Sequence, residues 1–171
     1  MLVTLVKSAS AMDDDAMNFN VSLPPGAWKA PEVNLIKELN TRIRAYENFM
    51  EAMEIRKSAA ELRAIWGAGN EYLQTAAPWS TFKEDPEQAA AQIRLALNLI
   101  RIYAVLSSPF IPDAAQNLMG AMKTIDNSWP TDVEKALQSL ATGHAFSVPE
   151  VTFRKITNDE RDEWKTQFGG Q

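Results

Sequence analysis

Apolar residues recur at steps of three and four along most of the chain, which is the periodicity of amphipathic helices. This pattern predicts a first long helix over residues 31–53, with an apolar stripe at Ile36, Leu39, Ile43, Tyr46, Met50 and Met53. A second run, which includes Trp66, predicts a helix over residues 57–77. Pro78 ends it, because proline lacks a backbone N–H and disfavours helical dihedrals in the residue before it.

The third predicted helix, residues 86–107, is apolar over most of its surface, as expected for the buried centre of a bundle. Residues 78–84 are predicted to form a short loop, so the second and third helices should be antiparallel neighbours. Three polar residues of the third helix, Arg94, Asn98 and Arg101, share one stripe. A stripe of this kind is most often solvated or paired with a neighbouring helix, and a phosphate-facing strip is the alternative.

Shorter elements follow in the second half of the chain. The pattern predicts helices over residues 112–125 and 131–140, and a capping box formed by Thr157 and Glu160 opens a terminal helix that runs to Phe168. Strand signals are weak throughout. The predicted fold is therefore an all-α antiparallel helix bundle, with the C-terminal helix packed back on the bundle.

One domain accounts for the whole chain, since its 171 residues suffice for a single core. Residues 1–11 are expected to form a first helix that looks truncated, and residues 12–30 a connecting loop. Residues 31–125 are expected to form the bundle core, and residues 126–171 a C-terminal extension with short helices.

Composition narrows the class of protein. The chain is 46% hydrophobic and 23% charged and has no cysteine, which fits a globular domain of the cytoplasm. No apolar run approaches the roughly 18 residues of a membrane span. The net charge of −5 provides no general attraction to nucleic acid. Any nucleic-acid binding would have to use a local patch and stacking, and DNA is not an expected partner.

The sequence offers no complete set of catalytic residues. His144 is the single histidine, and neither a nucleophile nor a carboxylate partner lies beside it in sequence. Metal-binding motifs, glycine-rich phosphate loops and cysteine clusters are absent. We therefore expect no catalytic, metal or cofactor site in this chain.

Trp79 has two alternative roles, one structural and one in binding. It follows Pro78 at the end of the second predicted helix, outside the apolar stripe. A large flat ring in this position either packs under a loop or stacks on a molecule that arrives from outside. The residues alone favour the loop-capping interpretation.

Several short segments carry a resemblance to a known family. They are Ala-Pro-Trp at 77–79, Gly-Asn-Glu-Tyr at 69–72, Arg-Lys-Ser-Ala at 56–59, Asn-Leu-Ile-Arg at 98–101, Pro-Phe-Ile-Pro at 109–112 and Gly-His at 143–144. In this order and spacing they resemble the C-terminal anticodon-binding helix bundle of bacterial methionyl-tRNA synthetase, a class Ia aminoacyl-tRNA synthetase.

The resemblance implies a binding role for particular residues. The tryptophan of the Ala-Pro-Trp motif stacks on an anticodon base in that family, which places this role on Trp79, with Pro78 fixing its approach. Lys83, Arg94 and Arg101 are the basic residues expected around it. The implied partners are the anticodon loop of tRNA(Met) and the catalytic domain of the same polypeptide, where ATP and methionine would bind.

One family feature has no counterpart here. The family carries an Asn and an Arg on the first helix of the bundle that read anticodon bases, and residues 2–11 contain no such pair. A second interpretation is a non-catalytic helical module, derived from the same domain, that binds a protein. It predicts a buried Trp79 and an exposed apolar patch elsewhere, whereas tRNA binding predicts an exposed Trp79.

Overall fold

The computed structural model describes residues 29–141, 143–147 and 153–169, and all regular elements within these ranges are helices. The predicted helix over residues 1–11 and almost all of the predicted loop over residues 12–30 lie outside the described residues. The described helices are α1 (Ala30–Glu51), α2 (Ile55–Ala76), α3 (Pro78–Glu84), α4 (Pro86–Ser107), α5 (Pro112–Ala121), α6 (Val133–Ala136) and α7 (Asn158–Phe168). This architecture confirms the predicted all-α helix bundle.

Helices α1 and α2 form a hairpin, because three residues connect them and they pack closely along their length. The stripe predicted for α1 is buried at Leu39, Ile43 and Tyr46. Met53 is an exception, since it is 77% exposed. The helix ends at Glu51, and Met53 has a φ of 57° in the connection, so it lies beyond the stripe.

Helix α4 is the centre of the bundle, as its composition predicts, and packs against α2, α3 and α5. By length and hydropathy alone it could cross a membrane, but 89% of its apolar window is buried inside the protein. Its approach to α2 is close at Gly69, where a Cβ atom would lie 1.7 Å from the Tyr103 hydroxyl oxygen. Glycine at this position therefore permits the two helices to pack.

Residues 78–84 form helix α3, so the prediction of a loop here is wrong. Pro78 accounts both for the end of α2 and for the start of α3. Pro78 cannot continue α2, but its fixed φ suits the first position of a new helix. Asp85 then ends α3 and caps α4, with its carboxylate accepting a hydrogen bond from the Gln88 N–H at 3.0 Å.

The second half of the chain is less helical than predicted. Helix α5 ends at Ala121, and the left-handed φ of 49° at Lys123 is incompatible with its continuation to residue 125. Helix α6 is a single turn. The capping box that opens α7 is confirmed, since Thr157 and Glu160 each accept a hydrogen bond from the other's backbone N–H.

Helix α7 does not pack into the bundle as expected. None of its residues is buried. Trp164 and Phe168 are 43% and 73% exposed, respectively. The prediction that this helix packs back on the bundle is therefore not supported by any buried side chain.

Candidate nucleic-acid interface

A single residue, Ala77, forms the corner between α2 and α3. Its φ and ψ of 42° and 59° place it in the left-handed region. Its N–H donates to the Leu73 carbonyl at 3.0 Å, as the end of α2 requires. Its own carbonyl accepts from the N–H groups of Ser80 and Thr81 at 2.8 and 3.1 Å, which starts α3. The chain therefore changes direction within one residue, between two hydrogen-bonded helices.

Trp79 lies immediately after this corner and faces outward. Its side chain is 49% exposed, whereas the adjacent Pro78 is buried. This confirms the exposure that RNA binding requires. It does not favour the protein-interaction module, which predicted a buried Trp79.

Lys83 shares one side of α3 with Trp79, since the two residues are four positions apart on the helix. Lys83 is exposed and lies in the last turn. An outward ring and an outward cation therefore lie side by side on a short helix whose buried Pro78 anchors it to the bundle.

Arg101 has a different role from the one predicted. Its side chain is 1% exposed. Its guanidinium group donates to the backbone carbonyls of Asp126 and Ala136 at 3.2 and 3.3 Å, and to the Asp126 carboxylate at 3.1 Å. The prediction that Arg101 contacts tRNA is therefore wrong, because the C-terminal extension covers it and accepts hydrogen bonds from two of its guanidinium nitrogens.

Asn98 has a similar role one turn earlier on α4. Its amide accepts from the Leu140 N–H at 2.8 Å and donates to the Leu140 carbonyl at 3.3 Å, and the side chain is fully buried. Together, Asn98 and Arg101 form what we call the polar seam, which attaches residues 126–140 to α4. The stripe is thus paired at these two positions, as one alternative predicted, but its partners Asp126 and Leu140 lie in non-helical segments and not on a neighbouring helix.

An aromatic contact attaches the same extension to α1. Trp129 stacks on Tyr46 with ring centroids 5.8 Å apart and an interplanar angle of 15°. Its indole N–H donates to the Glu47 carboxylate. The Tyr46 hydroxyl in turn donates to the Leu106 carbonyl at 2.9 Å, so this contact connects α1, α4 and the extension.

Arg94 is the third member of the predicted polar stripe and is half-buried. Burial lowers the pKa of its guanidinium group. Its backbone carbonyl accepts from the Asn98 side chain at 3.0 Å. Arg94 therefore differs from the buried Arg101 and stays a predicted RNA-facing residue.

Across residues 29–141, 143–147 and 153–169, no three His, Cys, Asp or Glu side chains come together in a group that could hold a metal ion. The Nε2 atom of His144 lies 2.6 Å from the Met122 carbonyl oxygen, so the imidazole anchors its loop. Among the described residues, the corner with the exposed Trp79 is therefore the strongest candidate for a binding site.

Solved structures share this fold. The apo form of Mycobacterium tuberculosis methionyl-tRNA synthetase matches with a TM-score of 0.72 at 18% identity, over 91% of this chain and 31% of that one. The same enzyme bound by methionyl-adenylate matches with a TM-score of 0.69 at 18% identity, over 90% and 30%, respectively. The bundle therefore has the fold of a helical part of an aminoacyl-tRNA synthetase.

Sequence comparison identifies the family. Residues 23–171 match the family described as the anticodon binding domain of methionyl tRNA ligase. The methionine–tRNA ligase of Ruegeria sp. strain TM1040 is 66% identical over 145 residues, which are 85% of this chain and 25% of that protein. The corresponding ligase of Paracoccus denitrificans is 61% identical over 153 residues, which are 89% and 27%. The chain belongs to the family of methionyl-tRNA ligase anticodon-binding domains, and it spans about a quarter of these relatives.

Proposed function

We propose that this chain binds the anticodon loop of tRNA(Met), with the ring of Trp79 stacked on an unpaired base. The observation that carries the proposal is the 49% exposure of Trp79 at a corner formed by two hydrogen-bonded helices. Proteins read RNA sequence chiefly at loops, where unpaired bases can turn outward onto aromatic side chains. Each such stack contributes about 1–3 kcal/mol of binding free energy.

Lys83 would add to the binding by contacting the RNA backbone beside the stacked base. Because it lies on the same side of α3 as Trp79, its ammonium group can approach a phosphate next to the stacked base. The chain as a whole carries a net charge of −5, so few phosphates are neutralised and stacking provides most of the affinity. Arg94 is a second cation proposed for this interface.

In the whole protein, this domain would serve a methionine–tRNA ligase of the cytoplasm. We propose that the remainder of the polypeptide contributes the catalytic domain, which binds ATP and methionine and charges tRNA(Met). The present chain would then contribute recognition and no reacting group. Its similarity to ligases that are more than three times as long supports this division of labour.

Trp79→Ala tests the proposal when binding is measured with an anticodon stem-loop bearing CAU and with one whose anticodon is changed. Trp164→Ala is the matched control, because Trp164 has a similar exposure of 43% but lies on α7. We expect Trp79→Ala to weaken binding to the CAU loop about tenfold or more, with the control unchanged. Equal affinities of both proteins for both loops would contradict the proposal.

A further inference from the structure

Thr81 makes a hydrogen bond that spans the corner at Ala77. Its hydroxyl donates to the Ala76 carbonyl at 3.0 Å, and a longer contact of 3.4 Å reaches the Ala77 carbonyl. Ala76 is the last residue of α2, where carbonyl groups have no partner within the helix. The Thr81 side chain therefore ties the first turns of α3 to the end of α2.

This tie acts on a backbone that is under strain. Ala77 has a positive φ of 42°, a conformation that is unfavourable for an L-residue with a Cβ atom. Rotation at Ala77 would relieve the strain and would also swing Trp79, since only Pro78 lies between them. The hydrogen bond of Thr81 and the burial of Pro78 oppose this rotation.

We infer that Thr81 is a positioning residue for the anticodon-binding ring: its hydroxyl holds the Ala77 corner, and the corner fixes the direction in which Trp79 projects. The inference rests on the proposed function. Thr81 itself is half-buried and turned toward α2, so it acts through Trp79 and not by touching RNA. A ring that is already held in its binding orientation loses less conformational freedom when a base stacks on it.

The test compares three variants of the full 171-residue chain. Thr81→Val removes the hydroxyl at nearly constant volume, whereas Thr81→Ser keeps the hydroxyl and removes only the methyl group. Thr41→Val is the matched control, because the Thr41 hydroxyl makes an equivalent 3.0 Å bond to the Lys37 carbonyl within α1. We expect Thr81→Val to bind the CAU stem-loop about three- to tenfold more weakly than the parent chain, and the other two variants to bind normally.

A second readout needs no RNA. The indole N–H resonance of Trp79, assigned through Trp79→Phe, should shift and broaden in Thr81→Val, while that of Trp66 in α2 stays in place. Thr81→Ser, which keeps the hydroxyl, should give the same spectrum as the parent chain. This readout separates the two claims: if the parent chain fails to bind RNA, the proposed function fails, but the indole spectrum still tests the corner. An unchanged Trp79 resonance in Thr81→Val, or unchanged RNA affinity, would overturn the inference.

Discussion

The α2–α3 corner and the polar seam on α4 both carry residues that the sequence analysis connected with tRNA, but the structure treats them in opposite ways. At the corner, Trp79 is half exposed and apolar. In the seam, Arg101 is charged and 1% exposed. Trp79, whose ring suits the interior, is half exposed to solvent, and Arg101, whose charge suits phosphate, is buried. Chemical type therefore does not identify the binding surface, whereas the burial of each side chain does.

The largest effect on stability is expected at the seam. Arg101→Ala should lower the free energy of unfolding by about 3 kcal/mol, because it removes the buried hydrogen bonds to Asp126 and Ala136 and leaves carbonyl groups without partners. Urea denaturation measures the change. Arg101→Lys, which keeps the charge but not the planar fork, should recover only part of it. A decrease in the free energy of unfolding below about 0.5 kcal/mol, which is typical of surface positions, would show that Arg101 does not stabilise the fold.

A smaller and more local effect is expected at Asn98. Asn98→Ala should cost about 1–2 kcal/mol, since both of its hydrogen bonds to the Leu140 backbone are lost. The Leu140 amide should then exchange with solvent faster than amides in α1. Hydrogen exchange followed by NMR resolves the difference. If amide exchange instead became faster to the same extent throughout α1 and α4, Asn98 would stabilise the whole bundle and not the extension in particular.

The smallest effect concerns acid stability at Asp126. The Ser128 hydroxyl and backbone N–H, with a further contribution from Arg101, hold the pKa of the Asp126 carboxyl below its ordinary value. A carboxylate with a lowered folded-state pKa stabilises the protein above its unfolded pKa of about 3.9, and this contribution is lost as the pH falls. The destabilisation caused by Asp126→Asn should therefore be present at about pH 6 and shrink toward about pH 3. A destabilisation that is the same at both pH values would contradict this assignment.

Much of the fold could be predicted from the sequence. The long helices α1, α2 and α4 have strong periodicity, and the capping box of α7 involves neighbouring residues only. Helix α3 was missed because Pro78 was interpreted as a stop signal alone, although proline both ends one helix and begins another. The ends of α5 and α6 depend on tertiary contacts of the extension, which periodicity does not report.

The candidate site was harder to predict than the fold. The spacing of Arg94, Asn98 and Arg101 identifies a polar stripe, but nothing in that spacing says that residues 126–140 cover two of its members. The residues around Trp79 favour loop capping, and the expectation that Trp79 is exposed comes only from the family resemblance. Thr81 was missed altogether. A hydroxyl residue three positions after a helix-starting proline was the signal that could have indicated it.

The most direct test of the account is the response of the tryptophan indole resonances when the CAU stem-loop is added to the chain. Trp79 reports on the corner, and Trp129 reports on the extension beside the seam, so one titration compares both regions. Stacking of a base on Trp79 should move its resonance at the concentration where binding occurs, while the resonance of Trp129 stays in place. Movement of Trp129 with no change at Trp79 would contradict the account and locate the RNA at the seam.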